Sequence, residues 1–171
     1  MNWYVLFVQT LYEDKLCSFF NRDRKIFAFS AKIEYYRKDR QRNELKSLFP
    51  GYVFIKTELN QKEFNDWLRH QEQKKGFIKQ LQYEAENALT PEEIQLFNML
   101  LDDNGILRMS YGNIVDSKLL IKKGPLANFD SYIIKYDKRN RIATMDLFFL
   151  NKRWIAGVTL LDCVENKGYK I

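Results

Sequence analysis

The stretch Leu48-Phe49-Pro50-Gly51-Tyr52-Val53-Phe54-Ile55 constrains this chain more than any other. A Pro-Gly pair marks a turn. The apolar run behind it has the period-2 pattern of a strand buried on one or both faces. Phe49, Tyr52 and Phe54 place a large, rigid apolar surface around the start of that strand. Such a surface either completes a hydrophobic core or anchors a protein–protein interface.

The elements around this block alternate in type. Trp3 to Val8, aromatic and β-branched, predicts a strand, and Leu11 to Phe20 a helix with Leu11, Leu16, Phe19 and Phe20 near helical spacing. Ile26 to Tyr36 alternates as one long strand and ends in a charged hairpin tip, Arg37-Lys38-Asp39-Arg40-Gln41-Arg42. Tyr52 to Thr57 is the next strand. Gln61 to His70 is a helix with Phe64, Trp67 and Leu68 on one face, and Gly76-Phe77-Ile78 turns into a short strand. Thr90-Pro91-Glu92-Glu93 is a strong helix start, with Thr90 as N-cap, Pro91 at the first helical position and Glu93 closing a capping box. The fold class is therefore α+β, with helices on a mostly antiparallel sheet.

Asp102-Asp103-Asn104-Gly105 breaks that last helix, and residues 102–112 are expected as a linker between a domain at 1–101 and another at 113–171. Beyond Gly112 the helical period disappears. Short β-type runs at Leu119–Ile121, Tyr132–Ile134, Ile142–Met145, Trp154–Ala156 and Thr159–Leu161 are separated by turn signals at Gly124-Pro125, 137–140, Asn151-Lys152 and Gly157. That spacing predicts a small five-stranded β-barrel.

Composition narrows the function classes. At 171 residues, 46% hydrophobic, the chain can bury a core. No run reaches the ~20 apolar residues of a membrane span, and no basic segment followed by an apolar run marks a signal peptide. Cys17 and Cys163 lie far apart and His70 is the single histidine, which fits a reduced, cytoplasmic protein and not a Cys/His metal site. There is no Gly-rich phosphate loop and no nucleophile motif, and Glu92-Glu93 is explained by helix-start electrostatics. The expectation is no enzyme, no cofactor and no metal.

The charge points elsewhere. Residues 1–100 carry 16 Lys and Arg against 14 Asp and Glu, whereas residues 110–171 carry 11 against 6. Two basic clusters stand out. Arg37, Lys38, Arg40 and Arg42 sit at the hairpin tip; Lys135, Lys138, Arg139 and Arg141 gather around a turn opposed by Asp137 alone. Either is a solvated turn or a set of phosphate contacts. Tyr132 and Tyr136 are candidate stacking partners beside the second cluster.

The block Leu48 to Phe54, with Trp3-Tyr4-Val5-Leu6 and Leu89-Thr90-Pro91-Glu92-Glu93, resembles the N-terminal domain of NusG-type transcription elongation factors. Ile121-Lys122-Lys123-Gly124-Pro125-Leu126-Ala127-Asn128-Phe129 resembles the KOW domain, an SH3-like barrel, of the same family. The run from Ile134 to Ala143 is similar to a basic segment in LoaP-type antiterminators. The chain departs from the family at Asn128, Ser131 and Asp116, where glycine is common, although asparagine tolerates left-handed backbone well.

This resemblance implies a monomeric transcription factor that docks on the clamp helices of RNA polymerase through an apolar concavity. The positions implied for docking are Phe7, Phe49, Pro50, Tyr52 and Phe54. It implies an operon-specific antiterminator recruited by an RNA hairpin, with contact to non-template DNA at the hairpin tip. The competing expectations are a general elongation factor whose KOW domain binds Rho or a ribosomal protein, and a KOW-type RNA- or ribosome-binding module without polymerase affinity. A relative in the family hides its KOW domain as a helical hairpin. The β-branched C-terminal runs here predict a stable barrel instead.

Overall fold

The run behind Pro50-Gly51 is the strand that the sequence predicts, and it is flanked on both sides by others. A computed structural model describes residues 1–72, 74–83 and 86–161. In chain order its elements are β1 (Asn2–Val8), α1 (Glu13–Phe20), β2 (Ile26–Phe29), β3 (Lys32–Arg37), β4 (Arg42–Ser47), β5 (Tyr52–Thr57), α2 (Gln61–Arg69), β6 (Phe77–Tyr83) and β7 (Glu86–Asn87). They continue as α3 (Pro91–Leu100), β8 (Ile106–Leu107), β9 (Ser110–Val115), β10 (Lys118–Lys123), β11 (Ile133–Asp137), β12 (Ile142–Phe149) and β13 (Lys152–Leu160). The architecture is mixed α+β. It divides into two compact units, residues 1–31 with 49–97, and residues 32–48 with 98 onward.

The first unit is built on a five-stranded sheet in the order β2-β5-β1-β6-β7. The period-2 pattern of β1 and β5 buries both faces. Tyr4, Leu6, Val8, Val53 and Ile55 point into a core with Leu16, Cys17 and Phe20 of α1 and Phe64 and Leu68 of α2. Trp3 and Phe54 point the other way, against Phe29, Phe49 and Phe97, with Phe54 and Phe97 ring centres 4.8 Å apart. Capping sets the helix starts. The Thr90 N–H donates to Glu93 Oε2 at 2.8 Å, and the Glu93 N–H to Thr90 Oγ1 at 3.2 Å, as the sequence predicts. Asn60 and Glu63 form a second capping box at α2.

The second unit contains a three-stranded sheet, β4-β3-β8, and a curled five-stranded half-barrel in the order β10-β9-β13-β12-β11. Its core holds Ile33, Leu107, Leu126, Ala143, Met145, Phe149, Trp154, Ala156 and Val158. Gly157 lies inside β13 where β3 passes close by; a methyl group there would overlap the Glu34 carbonyl oxygen. The Met109 N–H donates to Glu34 Oε2 at 2.8 Å beside it.

Several expectations are corrected. The predicted strand Ile26–Tyr36 breaks at Ser30-Ala31, where buried Ser30 donates to Asp14 Oδ1 at 2.9 Å and the chain leaves for another sheet. Gly157 marks no turn: β13 runs through it, joining two predicted strands, because only glycine fits under the β3 backbone. β4 and β9 were not anticipated. Residues 102–112, expected as linker, hold β8 and the start of β9. The Asp102 carboxylate orders this stretch by accepting from the Asn104 and Ile106 N–H groups and from Arg108 Nε. Asn128 adopts φ 71°, the left-handed conformation foreseen for it. Among the described residues no helix is long and apolar enough to cross a membrane.

Candidate functional sites

In the first unit the Pro50-Gly51 turn is fixed from two directions. Gly51 has φ +87°, a conformation that costs other residues about 1 kcal/mol or more. Its N–H donates to the buried carboxylate of Glu13, at the start of α1, at 2.7 Å, and its carbonyl accepts from the Val8 N–H at 2.8 Å. The turn presents exposed Pro50 and half-buried Tyr52. Tyr52 lies opposite Phe7 in the β1–β5 register, with ring centres 5.5 Å apart.

Burial sorts the five expected docking residues. Phe7, Pro50 and Tyr52 share one surface. Phe49 and Phe54 do not: they are 1% and 0% exposed and packed on Phe97. Phe54 lies on the same sheet face as Phe7 and Tyr52, and Phe97 packs over it together with Phe49, so the two form packed core beside that surface.

In the second unit the two basic clusters come together. The hairpin β3–β4 carries Arg37, Lys38, Arg40 and Arg42 around residues 38–41, and the hairpin β11–β12 carries Lys135, Lys138, Arg139 and Arg141 around residues 138–141. Both turns line one cleft of about 370 Å³, with Tyr36, Lys38, Tyr136, Lys138, Arg139 and Arg141 on its walls. The Arg141 guanidinium lies over the Tyr36 ring, 3.7 Å from its centre. The Tyr136 hydroxyl donates to the Val158 carbonyl at 2.9 Å, which holds that ring in place.

The two turns differ in how their cations are partnered. Glu44 accepts from Arg37 and Arg40, at 3.0 and 3.1 Å, and pairs with Arg42 at 2.9 Å. Arg37 also pairs with Asp39 at 3.0 Å. Hydrogen bonds from Arg37, and then from Arg42, lower the Glu44 carboxyl to about 2. In the second turn the acid is satisfied by amides. Asp137 accepts from the backbone N–H and the side-chain Nδ2 of Asn140, and the backbone bond is the main cause of its lowered pKa. Lys135, Lys138 and Arg139 are exposed and form no ion pair among the described residues, and neither does Lys38.

Tyr36 was not singled out from the sequence as a site residue. A signal existed: Tyr36-Arg37-Lys38 and Tyr136-Asp137-Lys138 repeat one spacing of tyrosine and lysine ahead of a turn. Tyr132, the other stacking candidate, is exposed and packs on Phe129. His70 closes α2 with Nδ1 2.6 Å from the Asp66 carbonyl oxygen, a structural role. Cys17 is buried, and Cys163 lies outside the described residues.

A family model described as "Transcription termination factor nusG" matches residues 1–98. A solved structure described as "Domain interaction in Thermotoga maritima NusG" is similar at 14% identity, covers 90% of this chain and 90% of that chain, and has a TM-score of 0.47. No curated protein matches.

Proposed function

This chain belongs to the NusG family, non-enzymatic transcription factors that generally bind RNA polymerase, and from that premise we propose that it is a specialised, LoaP-like antitermination factor. It binds polymerase through the first compact unit and is recruited to particular operons by an RNA hairpin held by the second. It acts as a monomer in the cytoplasm. The docking face is Phe7, Pro50 and Tyr52, flanked and supported by the packed rings of Phe49 and Phe54. Two half-buried rings beside an exposed proline offer rigid apolar area at low entropy cost, the chemistry of interface hot spots.

The observation that carries the RNA reading is the partnering of the second turn. Lys138 and Arg139 form no ion pair among the described residues, and Lys135 meets only the Asp137 carboxylate, whose oxygens Asn140 already engages, so all three are available to phosphates. The hairpin tip around Lys38 is a second candidate phosphate contact, to the recruiting RNA or to non-template DNA, with Arg37, Arg40 and Arg42 already committed to Asp39 and Glu44.

Single-round transcription through an intrinsic terminator tests this reading. Wild type is expected to raise readthrough only on a template with a leader hairpin. The Lys138→Ala/Arg139→Ala/Arg141→Ala variant is expected to read through at the level seen without the hairpin. Readthrough indifferent to both would identify a general elongation factor and refute recruitment by RNA.

A further inference from the structure

Two hairpins of one unit close on the same cleft, and what they bring there differs from what either carries alone. Resting on the RNA-recruitment reading, we infer that the cleft between residues 36–41 and 136–141 takes a single unpaired nucleotide, stacking its base beside Tyr36 and Arg141 and holding its flanking phosphates at Lys38, Lys138 and Arg139.

The cleft, at about 370 Å³, lies within the roughly 300–1,000 Å³ of small-ligand sites. A space of that volume cannot enclose a double helix, whose bases are in any case already stacked. Its walls are planar groups held in place. Tyr136 is tethered through its hydroxyl to the Val158 carbonyl, and Arg141 is backed by the Tyr36 ring at 3.7 Å. A guanidinium plane supported by an aromatic ring is a stacking surface for a base, and it carries positive charge toward the neighbouring phosphate.

The electrostatics agree with an anionic ligand. Among the described residues the acids of the two turns are already engaged: Asp39 by Arg37, Glu44 by three arginines, and Asp137 by Asn140. The remaining cations on the rim, Lys38, Lys138 and Arg139, come from both hairpins, so one strand threaded between the turns would meet positive charge on both sides. A duplex laid across the outside would reach the lysines and Arg139 but not Tyr36. The base is therefore what distinguishes an unpaired strand from a paired one.

Fluorescence anisotropy with the full chain tests this. The probes are a labelled stem-loop RNA with an all-uridine loop, a blunt duplex of the same stem, and the DNA versions of both. Wild type is expected to prefer stem-loop over duplex by about tenfold, the stacking of one base. Tyr36→Leu is expected to remove that preference, weakening the stem-loop more than the duplex. Lys38→Glu, at an exposed turn position that the fold does not need, is expected to weaken the stem-loop more than the duplex. The ribose and deoxyribose arms assign the strand that supplies the nucleotide. Equal affinity for stem-loop and duplex, or Tyr36→Leu and Lys38→Glu indistinguishable from wild type, overturns the cleft site. If Lys138→Ala/Arg139→Ala still weakens binding in that case, the RNA reading survives. No binding of any probe by wild type overturns both.

Discussion

Residues 38–41 and 138–141 close two hairpins of the same unit over the same number of residues. Each turn ends on a side-chain-bearing residue at positive φ, Gln41 at 50° and Arg141 at 56°. Each follows a tyrosine two positions before its first lysine. By count of Lys and Arg they look alike, yet the first is largely self-neutralised and the second is not. Glu44 draws Arg37, Arg40 and Arg42 onto itself, whereas Asp137 spends its oxygens on Asn140 amides. The difference teaches that how many cations a turn leaves available depends on whether a carboxylate lies in register with them, not on their number alone.

The comparison is broken most severely at Gly157. The glycine lets β13 run beneath the Glu34 carbonyl of β3, and β3 carries the first turn. Gly157→Ala puts a methyl group into backbone that cannot move aside cheaply, and is expected to destabilise the chain by about 3 kcal/mol. Urea unfolding measures it. A loss below ~0.5 kcal/mol would mean that the two strands separate without cost.

Charge removal sharpens the comparison at the next level of effect. Lys138→Ala/Arg139→Ala is expected to weaken stem-loop RNA binding about tenfold and to flatten the salt dependence by about two released counterions. Arg40→Ala/Arg42→Ala, which removes as many charges, is expected to weaken it less than about threefold, because those arginines already have a partner. Titrations at two salt concentrations decide. Equal losses in the two variants would show that ion pairing with Glu44 does not withhold the first turn from nucleic acid.

How legible these features were in the sequence depends on how local their causes are. The Pro-Gly turn, the strand Tyr52–Thr57 and the capped start of α3 each follow from neighbouring residues, and each is found where expected. The α+β class and the curled five-stranded C-terminal sheet follow from the same periodicities. Non-local facts were out of reach. β4 is mostly polar and exposed, so it shows no apolar alternation. Gly157 reads as a turn until the approach of β3 is known. Phe49 and Phe54 were legible as apolar, and only the packing of Phe97 over them shows that they are covered beside the surface carried by Phe7, Pro50 and Tyr52. The partnering of Arg37 with Glu44 depends on the register Tyr35↔Glu44 and Arg37↔Arg42, which sets the two side chains diagonally on one face.

The finest test converts the first turn into an approximation of the second. Glu44→Gln leaves an acceptor of similar shape but removes the charge that holds three arginines, and at neutral pH they become available to phosphate. Affinity for the stem-loop is expected to rise about threefold, with a steeper salt dependence. Acid separates the stability consequence from the binding one. Glu44 titrates at about 2 in the folded chain, against 4.5 for an ordinary glutamate. A depressed carboxyl contributes stability that is fully present above the ordinary value and disappears as pH falls through the lowered one. Between pH 4.5 and about 2 the wild type should therefore lose a small increment of Tm that Glu44→Gln does not lose. Because the arginines are exposed to solvent, that increment stays small and shrinks with added salt. If Glu44→Gln binds RNA no more tightly than wild type, the arginines are withheld by the geometry of the turn, and charge neutralisation is not what separates the two hairpins.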